Sequence, residues 1–249
     1  MRYLFVVLSV FSFSLFGFSQ KIKDTEGLIK AMHQKYQGEW FDAFTFVQET
    51  VRYEADGSER DRHIWYEAIA YPKNFRIDYG AIDNGNASLF RNDSMYRFRN
   101  GVLERAELNP QQFLLMKGGL YHYEVPAVVT MLQEYGYDVT QFREDRFNGR
   151  KVYVLGAPEG DLSAAQFWID AKKFYLVRRI STVSNGKVLD VHYSDHIKTG
   201  GGWVEQTVKF YLDGRYIQLE NYKEIDTKPE LNSKVFDPKW FGKVHWYRG

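Results

Sequence analysis

Residues 63–79, HIWYEAIAYPKNFRIDY, decide the fold. The stretch reads as two strands broken at Tyr71-Pro72-Lys73-Asn74. On the second strand Phe75, Ile77 and Tyr79 share one face, while Arg76 and Asp78 share the other. That period of two marks a half-buried strand. Pro72 has no N–H to give to a ladder, which places it at a turn or a sheet edge.

The same pattern continues on both sides. Residues 44–53 read as a strand ending in the turn Asp56-Gly57. Before it, residues 24–36 read as a helix, with Asp24 as N-cap, Gly38 as C′ residue, and Leu28, Ile29, Met32 and Tyr36 on one face. Residues 83–86 (Asp-Asn-Gly-Asn) begin like a calcium loop, but no Glu stands at the twelfth position, so a turn is expected. Residues 95–99 and 102–108 flank Asn100-Gly101, a strong hairpin signal. Asn109-Pro110 then reads as an N-cap and first helical position for a short apolar helix through Phe113, Leu114, Leu115 and Met116, stopped by Gly118-Gly119. A second helix is expected from Pro126 to Gly136, apolar around much of its circumference. Strands resume at 152–155, 165–171, 174–183, 187–195, 203–212 and 215–225, with hairpins at Asn185-Gly186 and Asp213-Gly214. The sum is about ten or eleven strands linked locally, an antiparallel meander curled around a core, with helices grouped N-terminally and centrally.

Composition bounds the rest. The chain has 249 residues, 33 basic and 32 acidic, for a formal net charge of +1. That balance gives no reason to expect nucleic acid or an anionic membrane as partner, and the alternating Arg97, Phe98 and Arg99 read as an ordinary two-faced strand. No linker-like run divides the chain, so residues 20–249 are expected to form one domain. Residues 1–19 have the form of a signal peptide: Arg2, then an apolar run over 4–18, then Gly17 and Ser19 before the cut. With no cysteine there is no disulfide, thiol nucleophile or lipid-bearing N-terminus.

Local signatures of catalysis are missing: no Gly-x-Ser-x-Gly, no phosphate-binding Gly loop, no His-Glu-x-x-His. Asp190, His192, Asp195 and His196 form the one tempting cluster. On a strand His192 and His196 stand roughly 13 Å apart, too far to share a metal whose ligand nitrogens lie near 2 Å. Asp170 and Glu205 are carboxylates with no partner visible in the sequence. The expectation is a protein without enzymatic activity, metal or cofactor.

Several stretches in common order resemble the LolA-like periplasmic carriers that sort lipoproteins to the outer membrane. Phe41-Asp42-Ala43-Phe44-Thr45-Phe46-Val47-Gln48 is similar to that family's first strand. Tyr71-Pro72-Lys73-Asn74-Phe75-Arg76-Ile77 is similar to its Pro-x-x-Phe-Arg strand turn. Residues 93–98 (with Ser94 where the family has Gly), 109–117, 166–170 and Val235-Phe236-Asp237-Pro238 fall where later family elements fall. The resemblance implies a mainly β (α+β) fold: an incomplete antiparallel β-barrel whose concave apolar face is covered by short helices. It implies acyl chains as cargo, each buried methylene contributing about 0.8 kcal/mol. It also implies a periplasmic monomer, with a donor protein at the inner membrane and an acceptor at the outer membrane. In the carriers a basic residue precedes the proline and ties down the lid; here Tyr71 stands there, with Lys73 and Arg76 nearby.

On this reading Tyr71 and Arg76 are the candidates for lid control. The strand candidates for the apolar cavity are Phe44 and Phe46, Trp65 and Ile69, Phe75 and Ile77, Phe98, and Phe167 and Ile169. The helical ones are Phe113, Leu114, Val129 and Leu132. Each could equally be plain core, because the pattern does not assign which strand face is concave. Two functions fit: a carrier of lipid or lipoprotein acyl chains, or an envelope sensor or interaction module using the same fold without carried lipid.

Overall fold

The computed structural model describes residues 21–183 and 186–248. The expected signal peptide and Asn185 lie outside the described residues. The chain opens with α1 (Thr25–Tyr36), whose N-cap Asp24 accepts a hydrogen bond from the Gly27 N–H at 2.7 Å. Six strands follow: β1 (Ala43–Tyr53), β2 (Glu59–Ala70), β3 (Asn74–Tyr79), β4 (Ala87–Arg91), β5 (Ser94–Arg99) and β6 (Val102–Leu108). Two helices come next, α2 (Gln112–Lys117) and α3 (Val125–Glu134). The remainder is β7 (Asp138–Phe147), β8 (Arg150–Gly156), β9 (Gln166–Asp170), β10 (Leu176–Thr182), β11 (Val188–Ser194), β12 (Ile197–Thr199), β13 (Gly202–Val204), β14 (Thr207–Leu212) and β15 (Arg215–Asp226).

Thirteen strands form one antiparallel sheet in the order β6-β5-β4-β3-β2-β1-β15-β14-β11-β10-β9-β8-β7. Each half is a meander, and the long strands β1 and β15 join the halves. β12 and β13 form a separate hairpin. A twisted sheet of this width curls rather than lying flat. Its ends β6 and β7 do not pair, so the barrel is incomplete, as the resemblance implies. The segment connecting those ends carries α2 and α3.

The largest apolar core lies between the helices and the concave face. Leu28, Ile29 and Met32 of α1, Leu114, Leu115 and Met116 of α2, and Val128 and Leu132 of α3 meet Phe44, Phe46, Ile69, Phe75, Phe167 and Ile169 of the sheet. Of α3 only Val128 and Leu132 are buried. The helix is thus a one-sided cap over the apolar core, one of the two roles its largely apolar circumference allows, and it is not buried all round.

Three strands carry weaker signals than the rest. β4 is buried on both faces and turns into β5 through Asn92 and Asp93, which take positive φ without a glycine. β7 is a polar, half-exposed end strand, and β12 is three residues long. The expected strand 203–212 is split at Glu205-Gln206. Asn109 is not the N-cap of α2: its N–H donates to the Asp93 carbonyl at 2.8 Å, which extends the β5–β6 hairpin, and the helix begins at Gln112.

The convex face is covered by the chain's own C-terminal segment. Val235 and Phe236 pack on Ala68, and Phe241 stacks on Phe98 at 3.9 Å. Arg76 is the anchor. Its guanidinium donates to both Asp78 carboxylate oxygens, at 2.7 and 2.8 Å, and to the carbonyls of Val235 and Val244 at 3.0 and 3.1 Å. Burial works to raise the Asp78 carboxyl, but hydrogen bonds from His245 and Arg76 outweigh it and hold the group below its usual range. Arg76 therefore serves tail docking rather than lid control, because strand alternation turns it away from Phe75 and Ile77. Removing one partner of a buried ion pair costs about 3–5 kcal/mol. Arg76→Ala should lower the free energy of urea unfolding by that order, and limited proteolysis should then cut the C-terminal segment first.

Candidate functional site

Beneath α2 the concave face holds a chamber of about 190 Å³. Its walls follow from strand parity. Inward positions alternate along β1 (Phe46, Gln48), β2 (Trp65, Glu67, Ile69) and β3 (Phe75, Ile77). Tyr193 of β11, Val208 and Phe210 of β14, and Glu220 and Tyr222 of β15 complete the far wall. Phe113 and Lys117 close it from α2. Beyond Trp65 the concave face opens into a basin of about 620 Å³ that includes Arg52, His63, Arg97 and Arg99.

The chamber's walls are apolar, yet charged groups face one another inside it. The Lys117 ammonium, on the last residue of α2, forms an ion pair with the Glu205 carboxylate, and both side chains are 6% exposed. Glu205 stands at the break between β13 and β14. The ammonium also lies 5.5–5.9 Å from the ring centroids of Tyr222, Phe113, Phe44 and Tyr193, within cation–π range. Glu67 and Glu220 are buried nearby. Burial pushes the Glu220 carboxyl up to about 7, and neighbouring Glu205 adds to that, while a hydrogen bond from Gln218 and the charge of Lys117 hold it back. Burial, reinforced by Glu220, raises Glu67 well above its usual value. Arg179 of β10 faces in from the other side, and its Nε has no hydrogen-bond partner among the described residues.

Tyr71 fastens the cover from below. Its buried hydroxyl donates to the Lys117 carbonyl at 2.9 Å, across the end of α2. Burial raises that hydroxyl well above its usual range, so it remains a donor at any physiological pH. The next residue must be glycine: Gly118 has φ +151°, and a Cβ there would stand 2.6 Å from the Trp40 indole nitrogen and 2.8 Å from the Tyr71 ring. Lys117 is thus held at both ends, by its carbonyl through Tyr71 and by its ammonium through Glu205.

The sequence-derived candidates divide accordingly. Phe46, Trp65, Ile69, Phe75, Ile77 and Phe113 line the chamber. Phe44, Leu114, Leu132, Phe167 and Ile169 belong to the surrounding core. Phe98 does not join them, because its parity on β5 puts it on the convex face with Ala87 and Leu89. Val129 is half-exposed on α3 beside the buried Val128. The polar members Gln48, Glu67, Lys117, Arg179, Glu205 and Glu220 were not among the candidates. Two had a legible signal, since Gln48 follows Phe44 and Phe46 at the same parity and Glu67 lies between Trp65 and Ile69.

The histidine cluster resolves into packing. His192 pairs with Asp190 at 3.1 Å, while His196 stacks on Tyr175 at 3.8 Å and bonds the Leu176 carbonyl at 2.9 Å. Asp170 accepts from the N–H groups of Lys172 and Lys173 in a turn. Among the described residues no group of three His, Asp or Glu side chains is placed to hold a metal ion, and no helix is long and apolar enough to cross a membrane.

No family model and no curated protein sequence matches the chain. Solved structures do match in fold. A LolA superfamily protein from Nitrosomonas europaea is similar with a TM-score of 0.57 at 15% identity, over 85% of this chain and 98% of that one. A domain from Vibrio parahaemolyticus, named for outer membrane lipoprotein sorting, has a TM-score of 0.56 at 11% identity, over 86% and 96%. A DUF1329 family protein from Desulfovibrio piger has 0.57 at 12%, over 87% and 97%. The chain has the LolA-like fold. At these identities the likeness is one of fold.

The raised Glu220 carboxyl makes a pH prediction. Its folded value, about 7, exceeds the ordinary 4.5, so the folded state binds more protons than the unfolded one between those values. Its contribution to stability is therefore fully present below about pH 4.5 and falls as pH rises towards about 7. Glu220→Gln has no such loss. Denaturant unfolding of both proteins at pH 5 and pH 8 should show the variant gaining about 2 kcal/mol on the wild type between the two.

Proposed function

We propose that the chain is an exported, periplasmic carrier that holds lipid or lipoprotein acyl chains under α2 and α3 and passes them between a donor at the inner membrane and an acceptor at the outer membrane. It works as a monomer of one domain over residues 20–249, without catalysis or cofactor. The observation that carries this reading is the chamber itself: apolar walls beneath a six-residue helix, on the concave face of an open sheet. Phe46, Trp65, Ile69, Phe75, Ile77 and Phe113 are the residues that meet the chain. The signal-like segment 1–19 supports export, and the shared fold with a domain named for outer membrane lipoprotein sorting supports the cargo class.

At about 190 Å³ the chamber is smaller than the roughly 300–1,000 Å³ of ordinary ligand sites. Loading therefore requires α2 to move and expose the apolar surface under it. Acyl chains then replace the contacts of Leu114, Leu115 and Met116, which offsets most of what opening costs. Tyr71, bonded to the end of α2, sets how readily that happens. Tyr71→Phe should fold and take up a fluorescent fatty acid several-fold faster than wild type in stopped-flow mixing; an unchanged rate removes Tyr71 from lid control.

One observation favours the interaction-module reading: β6 ends the sheet, its outer backbone edge paired with no other strand among the described residues, and Val102, Leu103 and Leu108 are exposed at 68, 48 and 83%. Such an edge can pair with a strand of another protein. Organic extraction of purified residues 20–249 followed by mass spectrometry separates the two. Stoichiometric phospholipid or acylated peptide is the expected result. An empty protein that also fails to take up fluorescent fatty acid supports the module instead.

A further inference from the structure

We infer that α2 is a tethered stand-in for the ligand, and that the cage around its Lys117 ammonium is the binding site for the ammonium group of an amphiphile. The inference rests on the carrier reading above and specifies the chemistry of its cargo.

The site is already shown to hold a primary ammonium, because it holds one now. Glu205 supplies the opposite charge, and three rings of the sheet, Phe44, Tyr193 and Tyr222, stand 5.5–5.9 Å from the cation, within the range of cation–π attraction; Phe113, the fourth ring near it, belongs to α2 itself. Side chains from six elements meet there: Lys117 of α2, Gln48 of β1, Glu67 of β2, Arg179 of β10, Tyr193 of β11, and Gln218, Glu220 and Tyr222 of β15, with Glu205 at the β13–β14 break.

The sequence of α2 carries the same polarity as the ligand. Phe113, Leu114, Leu115 and Met116 form an apolar run, and Lys117 ends it with an ammonium. When α2 leaves, the apolar surface and the Glu205 carboxylate lose their partners together. A neutral or anionic chain covers only the first and leaves a desolvated carboxylate unpaired, which is strongly unfavourable. An apolar chain ending in an amine restores both. Opening of the cover is thereby coupled to the head group of the incoming molecule, since a ligand shifts an equilibrium only by its difference in affinity for the two states.

Binding of decylammonium, decanol and decanoate at pH 8, each below its micelle concentration, tests this by calorimetry on the chain without its leader. Decylammonium should bind at least about tenfold tighter than decanol, a difference of about 1.4 kcal/mol. Glu205→Gln should abolish that preference while keeping decanol binding, which also shows that the variant is folded. Lys117→Met, which empties the cage without removing its carboxylate, should strengthen decylammonium binding and leave decanol little changed. Equal affinity for amine and alcohol, or a Lys117→Met protein that gains nothing for the amine, overturns the inference and leaves the carrier reading standing. Failure of all three probes to bind overturns both.

Discussion

The buried pair between Lys117 and Glu205 is what the rest of the structure is arranged around. Two charges taken out of water gain little net stability, and losing either one is strongly unfavourable. Such a contact specifies a position better than it strengthens a fold. Here it specifies where α2 lies: the ammonium reaches into the chamber, the carbonyl of the same residue receives the Tyr71 hydroxyl, and Gly118 then turns the chain against Trp40. The apolar residues just before Lys117 are carried onto the concave face as a result. The cover is therefore held by a few directional contacts on a short helix.

The two faces of the sheet have separate tasks, and strand parity keeps them apart. Odd positions of β3 send Phe75 and Ile77 to the chamber, while Arg76 and Asp78 bind the C-terminal segment on the other side. The convex face is thereby covered in part by residues 233–241, and a second apolar cluster around Val152, Val154, Trp168 and Tyr175 lies apart from the concave core, with Phe147 and Trp203 packed on it. Only the concave face is left to a cover that is short. Stability and ligand handling can then change independently. The tail anchored through a buried arginine adds buried hydrogen bonds to the convex face of β3, opposite the face that α2 covers.

Much of the architecture is legible in the chain. Asn100-Gly101 and Asp213-Gly214 adopt the positive φ values that their hairpins require, and the Asp24 cap and inward face of α1 follow from simple spacing. The misses have physical causes. β4 is short and its turn uses Asn92-Asp93, which tolerate left-handed backbone less visibly than glycine does. β7 is an end strand rich in charge, although Asn148-Gly149 after it is the same hairpin signal that found its neighbours. In the site, parity identifies the apolar lining but not which face of β5 is concave, which is why Phe98 falls among the cavity candidates; Arg76 reads on the opposite face from Phe75 already in the sequence, and only the resemblance around Pro72 suggests a lid role for it. The Lys117–Glu205 pair is illegible for another reason: the two residues are 88 positions apart, and only the curled sheet brings them together.

The central claim is that α2 is a displaceable cover whose place the cargo takes. The chain has no cysteine, so spin labels can be attached singly at Gln112→Cys on α2 and Lys209→Cys on the outer side of β14. The distance between them should be measured by pulsed electron resonance on delipidated protein and again after loading to one lipid per chain. Displacement predicts one short distance when empty and a longer population that grows in proportion to bound lipid. A distance unchanged at full loading contradicts it, because the lipid would then be held somewhere that α2 does not cover.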